Sequence, residues 1–194
     1  MHLFNIERRR AEELSSREAN LSGMAEEKRH IFLTGNRRVG KTFLLQRVLS
    51  ELSVPLSGFT TSWKEEENGT SALILSRADG TESAVAAYRY ADDRPRQVFE
   101  EVFETFGAAC LTDLQGLVLM DELGRFESST EKFRSCVFAV LDSDIPVLGV
   151  VRDAENPFLD AVRSHPKTEV ISVTKENREE LVFAVRKKIK DILT

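Results

Sequence analysis

The 194-residue chain is 41% apolar and 30% charged, as expected of one globular domain with a full core. Its net charge is −5 and its pI about 5.4, so no overall basic field supports a nucleic-acid binder. No apolar run approaches the length of a membrane span and the N-terminus has no apolar signal core, so we expect a cytoplasmic protein without a membrane contact.

The first 28 residues differ in composition from the rest. They are mostly charged or small, and apolar residues are sparse after Ile6. A helix could form there, but its apolar stripe is too thin to nucleate a core. We predict a helical or flexible extension over residues 1–28 and one globular domain over residues 29–194.

A glycine-rich segment, Gly35–Thr42, reads G-x-x-x-x-G-K-T. It lies between the apolar run Ile31–Leu33 and a helical pattern over Phe43–Leu49, and strand, loop and helix form the context of a phosphate-binding loop. Backbone N–H groups and the helix dipole would hold the phosphates, with the Lys41 amine on the β- and γ-phosphates and the Thr42 hydroxyl on Mg²⁺. The predicted nucleotide-binding residues are Gly35, Asn36, Arg37, Arg38, Val39, Gly40, Lys41, Thr42 and Phe43.

Three runs rich in β-forming residues follow. They cover Ser57–Trp63, Ser71–Arg77 and Glu82–Tyr88, with turn signals at Asn68-Gly69 and Asp79-Gly80. This spacing predicts an antiparallel β-meander inserted into the chain.

A polar stretch with three arginines comes next: Arg89, Arg94 and Arg96. These side chains could form a solvated loop or a lid that closes on phosphates, and the sequence leaves both open. Pro95 is expected to open a helix that ends near Gly107, with one buried face formed by Val98, Phe99, Val102, Phe103 and Phe106.

The remaining chain alternates short apolar runs with helical patterns. The runs Leu117–Met120, Pro146–Val151 and Val170–Val173 are typical of buried parallel strands. Capping signals at Ser128–Glu131 and Asn156-Pro157 begin two of the helices. We therefore predict an α/β fold of three layers with a mostly parallel central sheet. Cys110 and Cys136 have no C-x-x-C spacing and are expected to be reduced, partly buried thiols.

Two acids complete the predicted site. Asp121 and Glu122 follow an apolar strand directly, and ligands of open α/β sheets bind at such strand ends. Asp121 is the candidate metal ligand, because phosphoryl transfer needs a placed Mg²⁺. Glu122 is the candidate base that polarises an attacking water.

These segments together resemble a known family of small stand-alone P-loop enzymes, the cancer-related nucleoside-triphosphatases. The resemblance covers roughly residues 30–185 and rests on the order of five segments: Ile31–Thr42, Ser57–Thr61, Leu119–Glu127, Leu141–Gly149 and Val173–Arg178. It implies a RecA-like core in which an extra strand separates the Gly35 strand from the Asp121 strand. It also implies Mg²⁺-dependent hydrolysis of ATP, GTP or another nucleoside triphosphate with loose base specificity, in which Lys41, Thr42, Asp121 and Glu122 take the roles given above.

The chain departs from the family at a few positions. The family's loop commonly has glycine where Arg38 stands, and a histidine commonly occupies the position of Arg152. Arg152 would lie close to the γ-phosphate if its strand is beside the loop, so it is a candidate catalytic residue. Arg37 and Arg38 could lie over the phosphates or point into solvent. Tyrosine is usual where Thr60 stands, so a ring-stacking role there is lost.

Two other functions fit the same motifs. A kinase of a nucleoside or small metabolite would use the same loop with an acceptor in place of water. A nucleotide-binding regulatory module with weak turnover is the second alternative, and the arginine departures motivate it. The sequence identifies no protein partner.

Overall fold

The structure, a computed structural model, describes residues 27–66, 69–92, 94–126 and 129–194. The predicted extension lies almost wholly outside the described residues, so the boundary near residue 28 stays a prediction. Asn68 of a predicted turn and Ser128 of a predicted helix cap also lie outside them. In the described part of the chain, no helix has the length and apolar character needed to cross a bilayer.

Strands alternate with helices along the chain, as the sequence predicts. The strands are β1 (His30–Thr34), β2 (Leu56–Glu65), β3 (Ser71–Arg77), β4 (Ser83–Arg89), β5 (Gln97–Val98), β6 (Leu117–Leu123), β7 (Val147–Val151) and β8 (Thr168–Ser172). The helices are α1 (Lys41–Leu49), α2 (Glu100–Val102, continued by a π-helical turn over Phe103–Gly107), α3 (Glu131–Asp142), α4 (Pro157–Ser164) and α5 (Arg178–Leu193).

These strands form one mixed sheet in the order β5-β4-β3-β2-β6-β7-β1-β8. The pairs β2-β6, β6-β7, β7-β1 and β1-β8 are parallel, whereas β2-β3, β3-β4 and β4-β5 are antiparallel. Strand β7 separates β1 from β6, which is the RecA-like arrangement that the family resemblance implies. The predicted α/β fold and its antiparallel meander are therefore confirmed.

Two apolar cores cover the two faces of the sheet. Because side chains alternate along a strand, Ile31 and Leu33 enter one core while Phe32 enters the other. The first core holds the buried faces of α1 and α5, and the second holds those of α3 and α4. Helices on both faces give the three layers that the alternating pattern predicts.

The sequence prediction is wrong around Val98. Gln97 and Val98 pair with Tyr88 and Ala87 as a short edge strand, and the helix begins only at Glu100. Gly107 does not end that helix but lies inside the helical segment, where an added Cβ would be 3.0 Å from the Phe133 ring. Cross-strand pairing and close helix packing, both nonlocal, override the local pattern in this segment.

Candidate functional site

The backbone of the glycine loop is held in a conformation that side chains disfavour. Gly35 and Gly40 have φ values of 134° and 105°, and Arg38 has a φ of 63°. A Cβ at Gly35 would lie 2.3 Å from the Val173 carbonyl oxygen, so only glycine allows the loop to lie against the chain after β8. The loop leads directly into α1, whose first turn has no acidic residue to compete with a bound anion.

Lys41 crosses the mouth of this loop. Its Nζ donates hydrogen bonds to the carbonyl oxygens of Gly35 (2.7 Å) and Asn36 (2.9 Å). Burial lowers the pKa of the Lys41 amine, while the charge of Glu122 opposes that shift and Arg152 adds to it. The amine is therefore held where the loop, the acids and Arg152 meet.

Asp121 and Glu122 lie in different environments although they are adjacent. The Asp121 side chain is buried and accepts no hydrogen bond from the described residues. Burial, reinforced by the charge of Glu122 and opposed by Lys41, raises the pKa of Asp121 to about 7. Glu122 lines the open cavity.

The end of β6 explains this difference between the two acids. Asp121 pairs with Val150 and Leu123 with Val151, so Glu122 is the extra residue of a β-bulge. The Asp121–Glu122 peptide bond is cis. The Glu122 N–H donates to the Thr61 hydroxyl oxygen (3.1 Å), which ties the bulge to β2.

Arg152 follows β7 directly and therefore lies between the loop strand and the acid strand. Its Nε is 4.0 Å from Glu122 Oε1. Its backbone N–H donates to the Leu123 carbonyl, and its own carbonyl accepts from Arg163 Nη1 (2.8 Å). The Arg152 backbone is thus fixed while the guanidinium reaches the cavity.

These side chains line one cavity of about 680 Å³ at the carboxyl ends of β1, β6 and β7. The predicted site residues on its wall are Gly35, Asn36, Arg37, Arg38, Gly40, Lys41, Thr42, Phe43, Glu122 and Arg152. Val39 and Asp121 are absent from the wall. The Val39 side chain packs in the core, so only its backbone could contribute, and Asp121 is buried at the strand end.

Sequence reasoning missed a second group of side chains on the cavity wall. Trp63, Arg96, Arg125 and Phe126 also line it. Trp63 belongs to a predicted strand, and Arg96 to the arginine cluster that could be a loop or a lid. No motif spacing joins them, because they meet only through the pairing of β2 with β6 and of β4 with β5. Of that cluster, only Arg96 reaches the cavity: Arg94 binds Asp92, and Arg89 stacks on Trp63.

A divalent cation fits the donor set at the strand end. Carboxylate and hydroxyl oxygens, here those of Asp121 and Thr42, are the ligands that Mg²⁺ prefers, together with phosphate oxygens and water. Among the described residues, no group of three or more His, Cys, Asp or Glu side chains could hold a metal.

Comparison with known proteins agrees with this geometry. The model of the NTPase family matches residues 30–186. The nucleoside-triphosphatase THEP1 of Natranaerobius thermophilus is 27% identical, over 84% of this chain and 98% of its own length. The THEP1 of Methanocaldococcus jannaschii is 30% identical, over 82% of this chain and 96% of its own length. The cancer-related nucleoside-triphosphatase homolog of Bos taurus is also 30% identical, over 79% of this chain and 93% of its own length.

A solved structure shows the same fold. The crystal structure of THEP1 from Aquifex aeolicus superimposes with a TM-score of 0.67 at 22% identity, covering 82% of this chain and 98% of that one. The matched range of the family model contains both the glycine loop and the acid pair. The chain therefore belongs to the NTPase family of small P-loop proteins, as the order of its motifs predicts.

Proposed function

We propose that this chain is a Mg²⁺-dependent nucleoside-triphosphatase, which converts a nucleoside triphosphate and water into the diphosphate and phosphate with loose base specificity. The observation that carries the proposal is the meeting of Lys41, Glu122 and Arg152 on the wall of one cavity at the glycine loop. The names of the relatives support hydrolysis of nucleoside triphosphates in general.

The triphosphate would bind along the loop. Backbone N–H groups of the loop and the start of α1 would face the phosphates, and the Lys41 amine would exchange its two carbonyl partners for phosphate oxygens. Arg37 and Arg38 are exposed on the same wall and form no ion pair among the described residues. Their charges are thus available to a polyphosphate chain.

Glu122 would accept a proton from the water that attacks the γ-phosphorus. The new bond forms between that water oxygen and the γ-phosphorus, while the bond to the β–γ bridging oxygen breaks and the diphosphate leaves. Lys41 and Arg152 would balance charge on the transferred group. Asp121 and Thr42 would hold Mg²⁺, which neutralises phosphate charge when bound.

The nucleoside end of the cavity supports loose base specificity. The Phe43 ring is 41% exposed at the start of α1, and the Arg178 guanidinium lies 5.6 Å from its centroid. Such flat surfaces can stack on any base, and they form no hydrogen bonds that distinguish one base from another. Asn177 is committed to its own loop, because its amide accepts from Thr174 N–H and donates to the Ser172 carbonyl.

A panel of nucleoside triphosphates tests the proposal. Phosphate release should occur with ATP, GTP, CTP and UTP at rates within about tenfold of each other, and should stop when Mg²⁺ is chelated. Release of no phosphate in the absence of an acceptor would favour the kinase alternative. Tight nucleotide binding with barely measurable turnover would favour the regulatory module.

The two thiols agree with the predicted cytoplasmic setting. Cys110 is buried and Cys136 partly buried, and both are free. Burial raises the pKa of the Cys110 thiol to about 11, which makes it an inert packing group rather than a nucleophile.

A further inference from the structure

One wall of the cavity has a composition that hydrolysis does not explain. We call it the aromatic wall and define it as Trp63, Phe126 and Arg96, together with Arg89, which stacks on Trp63 but does not line the cavity. The rings of Trp63 and Phe126 meet edge to face with centroids 6.5 Å apart. The Arg89 guanidinium lies 4.9 Å from the Trp63 ring, and that of Arg96 lies 5.9 Å from the Phe126 ring. Two rings in contact with each other are thus flanked by two guanidinium groups.

The aromatic wall remains open to a ligand. Trp63 is 37% exposed and, with Phe126 and Arg96, lines the cavity. Arg96 forms no hydrogen bond or ion pair with a carboxylate among the residues that the structure describes. A partly exposed indole beside a guanidinium that pairs with no carboxylate among the described residues is suited to stacking on a ring and to pairing with an anion.

The order of the strands places the aromatic wall away from the nucleoside of a loop-bound triphosphate. Lys41 serves the β- and γ-phosphates, and it lies among Glu122, Asp121 and Arg152, so the γ-phosphate end faces β6 and β7. The nucleoside end then points toward Phe43 and β8. Strand β2, which carries Trp63, neighbours β6 on its far side from β7 and β1. The aromatic wall therefore lies beyond the γ-phosphate.

We propose that the aromatic wall is a second ligand subsite, which binds a planar aromatic ring that carries an anionic group, of the nucleoside monophosphate class. Its base would stack on Trp63 with the Phe126 ring beside it, since the two rings are inclined by 68°, and its phosphate would pair with Arg96. The inference rests on the proposed function, because that function sets the direction of the triphosphate. Water alone as the second substrate requires neither rings nor Arg96.

The single tryptophan of the chain gives a direct readout, because Trp63 is the only one in the sequence. The full chain is first saturated with the non-hydrolysable triphosphate analogue AMPPNP and Mg²⁺, which fills the glycine loop. Adenosine monophosphate (AMP) is then titrated while tryptophan fluorescence is recorded, and calorimetry measures the same binding. A saturable fluorescence change that further AMPPNP does not reverse is expected.

Variants identify the residues responsible. Trp63→Leu and Arg96→Ala should each weaken AMP binding about tenfold by calorimetry, whereas Trp63→Phe should retain most of it because a ring remains. Arg94→Ala is the matched control, since Arg94 belongs to the same arginine cluster but binds Asp92 and stacks on Tyr90 outside the cavity. It should leave AMP affinity unchanged.

Three results would overturn the subsite: no fluorescence change at millimolar AMP, reversal of the change by added AMPPNP, or equal AMP affinity in Trp63→Leu, Arg96→Ala and the unchanged chain. Lys41→Ala separates this proposal from the proposed function. If the loop fails to bind triphosphate, hydrolysis is refuted, but AMP should still change Trp63 fluorescence in Lys41→Ala.

Discussion

Glu122 and Arg152 face each other across the ends of two neighbouring strands, with 4.0 Å between Glu122 Oε1 and Arg152 Nε. Both side chains are a little over one-third exposed, so neither is sealed into a structural ion pair. Strands β6 and β7 are adjacent and parallel, and their carboxyl ends present the two groups at the same edge of the sheet. A carboxylate and a guanidinium thus lie side by side at the cavity.

Replacing Glu122 with glutamine should slow turnover strongly and preserve nucleotide binding. The amide keeps the shape of the side chain but cannot take a proton, so the hydrolysis rate should fall by about a hundredfold or more. Phosphate release and nucleotide affinity are measured side by side, with the exposed Glu155→Gln as control. A rate within a few-fold of that of the unchanged protein would show that Glu122 is not the base.

Arg152→Ala should lower kcat by about a hundredfold while nucleotide affinity changes much less, because charge on the γ-phosphoryl group grows in the transition state. Arg152→Lys retains the charge and should recover part of the rate. Single-turnover phosphate release measures the effect. An alanine variant with normal kcat would place Arg152 outside the chemistry and leave it as a contact of Glu122 only.

Lys41→Ala should remove phosphate binding at the glycine loop. The lost charge-assisted hydrogen bonds correspond to a loss of triphosphate affinity of roughly a hundredfold. Calorimetric titration with AMPPNP provides the measurement, and Lys64→Ala, an exposed lysine on β2 outside the cavity, provides the comparison. Unchanged affinity in Lys41→Ala would refute the assigned role.

The buried His30 should make folding stability depend on pH. Its Nε2 donates to the Leu141 carbonyl (2.8 Å) while Nδ1 has no partner among the described residues, and burial lowers its pKa from 6.5 to about 4. At a pH between about 4 and 6.5, His30 is protonated in the unfolded chain but neutral in the folded chain. The free energy of unfolding should therefore fall by about 3 kcal/mol from pH 7 to pH 4 through this residue, and stay level above pH 7.

Urea unfolding at several pH values checks this dependence against His30→Gln, which keeps a donor for Leu141 and does not titrate. The stability difference between the two proteins should shift in favour of the glutamine variant as the pH falls. A difference that stays constant from pH 7 to pH 4 would mean that His30 does not titrate as its burial requires.

The glycine loop and the acid pair could be predicted because each is a short run of consecutive residues. The glycine loop needs particular residues at fixed spacing, and Asp121-Glu122 follows directly from an apolar strand, so both could be located without coordinates. The alternation of strands and helices likewise fixed the α/β class. These features depend on residues that are close together in the sequence, so the sequence alone is enough to locate them.

The remaining part depends on contacts between distant segments. Trp63, Arg96 and Phe126 come together because β2 pairs with β6 and the segment before α2 returns beside β4. Val98 fits a helical pattern in the sequence, but in the structure it pairs with Ala87 of β4 and belongs to β5. The bulge that presents Glu122 to the cavity arises from the register between β6 and β7, which no local pattern specifies.

Strand β2 belongs to two halves of the sheet at once. Its first residues, Leu56–Thr60, pair with β6, while Phe59–Glu65 pair with β3. One end of β2 therefore lies beside the strand that carries Asp121 and Glu122, and the other end carries Trp63. Changes of sequence or length in the β3–β5 half would therefore alter the surroundings of Trp63 without changing the strands that lead to the glycine loop, the acid pair and Arg152.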